Sequence, residues 1–587
     1  MSVRALLLAI AALVAAVAMA PAATAAPTLP LGGAGRWIVD AEGRVVVTHG
    51  QNRVEKRAPY LPSAAGFDEA DAAFLAAEGY NSVRLGVIWT AVEPAPGRYD
   101  EAYLAAIRGT VETLWRHGIV SILDSHQDMV HEKYQGQGFP GWAAIDEGGL
   151  NVPAGFPNNQ FVNQALLQAY DNFWRNAPGP GGVGIQDRFA DMWRHVASRM
   201  RDVPGVAGYD LLNEPWPGSG YLACIGAAGC RGPDAQLHAM QVRVASRIRS
   251  VDPVTQVWYE PFSTFNSVAD TTMPRFDVPR SVFSFHAYCT VEGVTLRYDP
   301  SCEGSDRTVL DRAERRMARD GVPGVLSEFG ATTDLRTLER IATIADERMV
   351  GWQHWAFTGH DPTTQASGDL QSIVYDDRLP PVGANLATAK LGVLSRPYPQ
   401  LVAGTPSAWR YDRAARRFSA RWSTARADGS GSFPARSRSE VAVPARQYPS
   451  GYAVRAVGAA IVSPPGATTL VLESCPGAST VEVEVTPGAA RTDDCDPPSA
   501  RLRVTVSPSA IRRGRRTVLR VVVRALDGAR WRGRAGATVT AAGRSAVTGA
   551  GGRARLAVRP HRRGRIVVVA RSGSASARRT VRVRAPR

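Results

Sequence analysis

Residues 206–218 read VAGYDLLNEPWPG. The apolar run 209–212 halts at Asn213-Glu214-Pro215, and proline cannot continue a strand ladder. A short apolar run closed in this way predicts a buried strand. Glu214 then stands at a strand's carboxyl end, where a (β/α)8 barrel carries its chemistry. A second glutamate, Glu328 in PGVLSEFG (323–330), closes another such run 114 positions later. Two carboxyls on one barrel rim are what a glycosidase needs, one as acid and one as nucleophile or base.

Outward from this stretch, strand and helix patterns alternate. A strand over 81–88 carries Arg84, and one over 119–123 runs into Asp124-Ser125-His126-Gln127-Asp128. Further strands are expected at 256–259, 282–285, 325–326 and 349–357, the last with Trp352 and Trp355. Residues 36–50 predict a leading hairpin and the first strand. Helical spacing marks 68–78, 103–116, 188–200, 237–250 and 338–348. Alternation of this kind predicts a parallel sheet, and eight strands over this length favour a closed barrel, assigned to 26–400. No glycine-rich phosphate loop opens any helix, which excludes nucleotide chemistry. The connection 129–186 is far longer than an ordinary βα loop and carries Phe139, Trp142, Phe156, Phe161, Tyr170, Phe173 and Trp174. It is expected to wall one side of the cleft with apolar rings.

After Arg396-Pro397-Tyr398-Pro399 the period changes to two, predicting a β-sandwich over 401–498 and a small basic, immunoglobulin-like β-domain over 499–587. The fold class is therefore α/β, a (β/α)8 TIM barrel followed by two all-β domains.

The totals set the compartment and the partners. Residues 1–25 combine an arginine, an apolar run and Ala23-Thr24-Ala25, the pattern of a secretory signal, so the protein is expected to be secreted, either free or held at the cell surface. No later stretch is long and apolar enough to span a bilayer. Export makes disulfides plausible, and the simplest pairing of the six cysteines is Cys224/Cys230, Cys289/Cys302 and Cys475/Cys495. Clustered Cys/His spacing is absent, so no metal site is expected. The net charge is +16, but 501–587 alone hold 24 arginines, no lysine and one acid, a balance of +23. The remainder is thus mildly acidic at −7. The basic domain is expected to attach to anionic cell-surface polymers or lipid headgroups, with nucleic acid the less favoured partner because of export.

At the two carboxyls, Asn213 offers an amide to the sugar hydroxyl beside the reacting centre, and Arg84 can bond Glu328 and keep it ionised. His286 and Tyr288 can orient the acids, and Trp355 offers a face for a sugar ring. This set, with His126, Ser327-Glu328-Phe329-Gly330 and the Asn213-Glu214-Pro215 turn, resembles glycoside hydrolase family 5, the cellulase-like retaining enzymes. More narrowly it resembles the endoglycoceramidases, through HGQNRVEKRAPYLP (49–62), DSHQDMV (124–130), AYDNFWRN (169–176) and SRPYPQLVAGTP (395–406). The resemblance spans 36 to about 490. It implies Glu214 as acid/base, Glu328 as nucleophile, and Lys56, Asp124, His126, Asp128, Asn213, Tyr288 and Trp355 as sugar contacts. Gln51 departs from the family, which shows a small apolar residue there.

The implied reaction is cleavage, with retention, of the bond between glycan and ceramide in glycosphingolipids, by a monomer without cofactor. Two other readings are open: a β-glycosidase of the same family acting on soluble glycans, and a non-catalytic surface-binding protein.

Overall fold

The computed structural model describes residues 26–586 apart from 226–229, 268, 360–361, 365–367, 496–501, 528–529 and 573–574. The signal sequence read at 1–25 lies outside the described residues. The chain divides into two compact units, the first holding the barrel and the sandwich, the second the C-terminal domain.

Eight parallel strands close into a barrel in chain order. They are β1 His49–Arg53, β2 Ser82–Val87, β3 Val120–Ser125, β4 Val206–Asp210, β5 Gln256–Tyr259, β6 Ser281–His286, β7 Gly324–Gly330 and β8 Gly351–Trp355. Closure is direct: Trp352 of β8 pairs with His49 of β1. Every strand residue but Gly330 is buried, because helices cover the outside of a parallel barrel and side chains fill its inside. The covering helices are amphipathic. Glu101–Arg116 buries Leu104, Ile107, Val111 and Leu114 on one side and is capped by Asp100, whose carboxylate accepts from the Tyr103 amide.

Three sequence expectations change. The leading hairpin, Gly32–Ala34 with Trp37–Val39, does not feed the barrel. Its sheet continues through Val45–Val46 into Tyr398–Val402 and Arg438–Ala442 of the sandwich, with Val46 opposite Leu401. The first barrel strand therefore starts at His49 and takes in Gln51, Asn52 and Arg53. Secondly, β4 ends at Asp210, so Glu214 lies on the turn beyond it. Thirdly, the long connection is not an open loop: it contains the helix Gln164–Trp174, and Phe139, Tyr170, Phe173 and Trp174 are core residues. Of the seven aromatics only Phe161 is exposed, at 37%.

The sandwich strands alternate in burial, as sheets covered on one face do: Arg417–Ser423 buries every second residue, Phe418, Ala420 and Trp422. It is fixed to the barrel by polar contacts. The Trp409 indole donates to Asp346 at 3.1 Å, and Arg413 pairs with Glu339 at 2.6 Å. His49, at the base of β1, stacks between Trp352 and Tyr398 at 4.1 and 3.7 Å. Burial lowers its pKa to about 4, so it is neutral there. The C-terminal domain is a second sandwich, whose two sheets share a core of Val504, Leu519, Val521, Val539, Val568 and Val581. All three cysteine pairs are joined as read from the sequence.

Candidate active site

At the carboxyl ends of the strands the barrel gathers six carboxyls around four cations. Arg84 is at the centre. It lies mid-strand on β2, fully buried, with its guanidinium spread across the barrel axis. Nε donates to Asp210 at 2.9 Å. One terminal nitrogen reaches Asp124 at 2.9 Å, Glu260 at 2.7 Å and the Asn213 amide oxygen at 3.0 Å. The other reaches Asn52 at 3.3 Å and Glu328 at 3.4 Å. Only a planar five-donor fork can serve so many acceptors at once.

Glu328, on β7, is the carboxyl above this floor. Tyr288 donates to its Oε1 at 2.8 Å, and Arg84 holds Oε2. Burial pushes its pKa up; the His286 cation pulls it down, and the Glu214 charge pushes it up again. The opposite tyrosine is driven well above its ordinary value, first by burial and then by the charge of Glu328, so it remains a donor.

Glu214 is positioned by a turn rather than a strand. Its φ is 41°, the left-handed region that a non-glycine residue occupies only when its surroundings impose it. The imposing contacts are visible. Its amide donates to Glu260 at 2.9 Å, and the Gln127 side chain donates to the Asn213 and Glu214 carbonyls at 2.8 and 3.1 Å. The Asn266 amide donates to Glu214 Oε1 at 2.6 Å, and His286 Nδ1 lies 2.8 Å from the same oxygen. Both of these contacts fall on Oε1. A carboxylate oxygen of Glu214, one of Glu328 and a ring nitrogen of His286 lie within 4.8 Å of one another. Burial works against a charge on His286, but Glu260, Glu328 and Glu214 raise its pKa far above 6.5. It is therefore held as an imidazolium between the acids.

A second cluster flanks the pair. His126 Nδ1 is 2.7 Å from Asp124, and its pKa is raised to about 9 because Asp124 and Asp128 outweigh burial. Lys56 Nζ pairs with Asp128 at 2.6 Å and sits 4.5 Å above the Trp355 ring. His126 stacks on the same ring at 5.3 Å. The indole is held by Gln371 at 2.9 Å. Next to Trp355 opens a groove of about 390 Å³ lined by Lys56, Arg57, Leu61, Trp355, Gln371 and Tyr375.

All the sequence-read residues, Lys56, Arg84, Asp124, His126, Asp128, Asn213, Glu214, His286, Tyr288, Glu328 and Trp355, come together here. Their positions separate them into two groups. Arg84, Asp124, His126, Asn213 and His286 are sealed beneath the surface, and Glu214 lies at its edge. Arg84 bonds Glu328, as its position on the strand led us to expect, and Asn213 beside it accepts from Arg84 and donates to the Gln127 carbonyl. Lys56, Asp128, Trp355 and Glu328 keep 6–8% of their surface open, and Tyr288 is half-buried. Sequence reading missed Glu260, Asp210, Asn266 and Gln371. Glu260 directly follows the β5 run, a signal of the kind that revealed Glu214; Asn266 and Gln371 lie in loops and carry none. Burial raises Asp210 to about 7 even beside Arg84. At the Gln51 departure the side-chain oxygen lies 2.9 Å from His354 Nδ1, so the residue pairs with a buried histidine inside the barrel.

A closed eight-stranded parallel barrel with two facing carboxyls on its C-terminal rim defines a glycoside hydrolase. The chain belongs to glycosyl hydrolase family 5: residues 49–361 match the family model described as cellulase (glycosyl hydrolase family 5), and 396–486 match the glycoside hydrolase family 5 C-terminal domain. It is 32% identical to endoglycoceramidase I of Rhodococcus hoagii (strain 103S) over 456 residues, 76% of this chain and 85% of the relative. The endoglycoceramidase of Cyanea nozakii is 28% identical over 65% of this chain and 78% of its own length. Among solved structures, endo-glycoceramidase II from Rhodococcus sp. superposes with a TM-score of 0.62 at 28% identity, covering 77% of this chain and 99% of that one.

Proposed function

We propose that this chain is a secreted, retaining endo-β-glycosidase that cleaves the bond between glycan and ceramide in glycosphingolipids, with Glu328 as nucleophile and Glu214 as acid/base. The observation that carries the reading is the carboxylate spacing, within 4.8 Å, which suits direct attack at the anomeric carbon and leaves no room for the water of an inverting mechanism. Glu328 attacks that carbon while Glu214 passes its proton to the departing ceramide oxygen. A glycosyl ester on Glu328 results. Glu214, now a carboxylate, takes a proton from water, whose oxygen attacks the same carbon and frees Glu328.

Charge supports the assignment. Four cations, Lys56, Arg84, His126 and His286, face six carboxyls, Asp124, Asp128, Asp210, Glu214, Glu260 and Glu328. Asp210, raised to about 7 by burial, lightens this excess of negative charge. The proton that the acid role requires on Glu214 would remove the like charge that pushes Glu328 up, which favours one acid and one anion in the pair.

The two sides of the pair differ in polarity. Toward Trp355 the groove is lined by charged side chains of both signs, among them Glu55, Lys56, Arg57 and Asp376, and by an aromatic face, which suits sugar. The leaving group must lie on the side of the acid, and there Trp216, two residues past Glu214, packs with Phe161 at 5.1 Å and Tyr221 at 5.7 Å. Phe161, Val162, Leu222 and Ile225 are exposed on the same rim, an apolar margin for lipid chains. The relatives' names point to the same substrate class. The test is a panel of lactosylceramide, gangliosides and carboxymethylcellulose, with released ceramide measured and the anomer of the freed glycan followed by NMR. Ceramide release with retained β configuration, abolished in Glu328→Gln, is expected. Turnover of the soluble polymer alone would assign the barrel to soluble glycans.

A further inference from the structure

The C-terminal domain concentrates its charge at one end. Two loops meet there. The Gly514 amide donates to the Pro560 carbonyl at 2.8 Å, and Arg559 Nε donates to the Gly514 carbonyl at 2.7 Å. The Arg513 amide donates to the Arg584 carbonyl at 3.0 Å, which brings the last strand to the same tip. Strand register adds two pairs, Arg512 opposite Arg584 and Arg565 opposite Arg582. The tip thus collects ten arginines from separate segments: 512, 513, 515, 516, 559, 562, 563, 565, 582 and 584. All are exposed except Arg512, which is half-buried. No acid occurs in any of these segments, and the one acid of 501–587, Asp527, closes the strand Thr517–Asp527 at its far end. Like charges placed opposite one another across strands destabilise a sheet unless something neutralises them.

We propose that this tip is a docking surface for anionic phospholipid headgroups, by which the enzyme settles on the bilayer that presents its substrate. The choice of a bilayer rests on the proposed glycosphingolipid substrate. Three observations favour it. Every cation is arginine, whose fork binds phosphate oxygens two at a time. The tip segments 512–516 and 559–565 contain no aromatic side chain other than His561, so the stacking platforms that single-stranded nucleic acid uses are missing. The barrel rim of the same chain exposes Leu150, Val162, Leu222 and Val294, side chains that a lipid surface covers and a nucleic acid does not. Without apolar residues to insert, the tip should bind at headgroup level, with affinity that rises with anionic lipid and falls with salt.

The experiment uses the full chain with Glu328→Gln, sedimented with vesicles free of glycosphingolipid, so that the outcome is independent of the catalytic reading. Vesicles of phosphatidylcholine alone are compared with vesicles that also contain phosphatidylserine, each across a salt series. A second variant replaces Arg513, Arg515, Arg516, Arg562 and Arg563 with glutamine, and a control replaces Arg553 and Arg555 on the sheet face. Salt-sensitive retention on the phosphatidylserine vesicles, weakened roughly tenfold or more in the tip variant and much less in the control, is expected. With otherwise wild-type enzyme, the tip variant should hydrolyse detergent-dispersed substrate normally and vesicle-embedded substrate more slowly. Equal retention of tip variant and parent, equal retention on neutral vesicles, or duplex DNA displacing the protein from anionic vesicles at lower charge concentration than soluble phosphatidylserine would overturn the proposal. Absent hydrolysis with intact vesicle binding would count against the substrate reading only.

Discussion

Arginine does opposite work in two regions of this molecule. In the barrel a single buried guanidinium, Arg84, faces four carboxyls, Asp124, Asp210, Glu260 and Glu328. At the tip of the C-terminal domain ten arginines come from segments that contain no acid. In the first case burial makes the surplus of anions tolerable only because the cation and its partners are locked at 2.7–3.4 Å. In the second the surplus of cations is tolerable because the groups are exposed and water and salt screen them. The same side chain organises a reaction centre where solvent is excluded and offers a contact surface where it is not.

The largest expected effect breaks the buried arrangement. Arg84→Met leaves four carboxyls without their shared cation. It should lower kcat/KM by about 10³ or more and the unfolding free energy by about 3–5 kcal/mol, measured by ceramide release and by denaturant titration. Activity and midpoint both near wild type would refute the central role given to Arg84.

The next is the pH response of the barrel's stability. His126 binds its proton more tightly in the folded state, at about 9 against an ordinary 6.5. Its stabilising contribution is therefore complete below about 6.5 and is lost as pH rises through about 9, each tenfold change in proton affinity being worth about 1.4 kcal/mol. The thermal midpoint of the barrel transition should fall across this window, and His126→Asn should flatten the fall. His49 works the other way: its contribution is present above about 6.5 and lost as pH drops through about 4.

A smaller loss should follow from Asn266→Ala, which removes the amide from Glu214 Oε1. A reduction of about tenfold in kcat is expected, consistent with the loss of one positioning hydrogen bond of ~1 kcal/mol. A change confined to KM would mean that Asn266 serves binding instead. The smallest effect returns to the basic domain. Arg503 and Arg524 lie directly opposite one another in the sheet. Arg524→Glu should stabilise that domain by about 0.2–1 kcal/mol, read as a raised midpoint for its own transition; a lowered midpoint would show that the pair is not repulsive.

Much of the barrel was legible because parallel strands covered on both faces are apolar runs bounded by turn residues, as at 206–212 and 323–330. The fate of the leading hairpin was not, since Gly32–Ala34 and Trp37–Val39 have the same local pattern whether their sheet closes on the barrel or on the sandwich. The aromatics of 129–186 misled for a related reason. Composition marks a ring as apolar but does not say which face of the helix Gln164–Trp174 is buried, and Tyr170, Phe173 and Trp174 turned inward.

The sequence by itself determined the class of the fold, the two glutamates of the site, the three disulfide pairs and the division of charge between an acidic front and a basic tail. Each of these is written in local pattern or in residue type. Only the tertiary structure decided how the site is built: that Arg84 lies beneath the reacting groups, that Glu260 and Asn266 brace Glu214, and that arginines from 512–516, 559–565 and 582–584 meet at one tip. These are contacts between residues far apart in the chain, and barrel closure and strand register, which no local pattern encodes, are what bring them together.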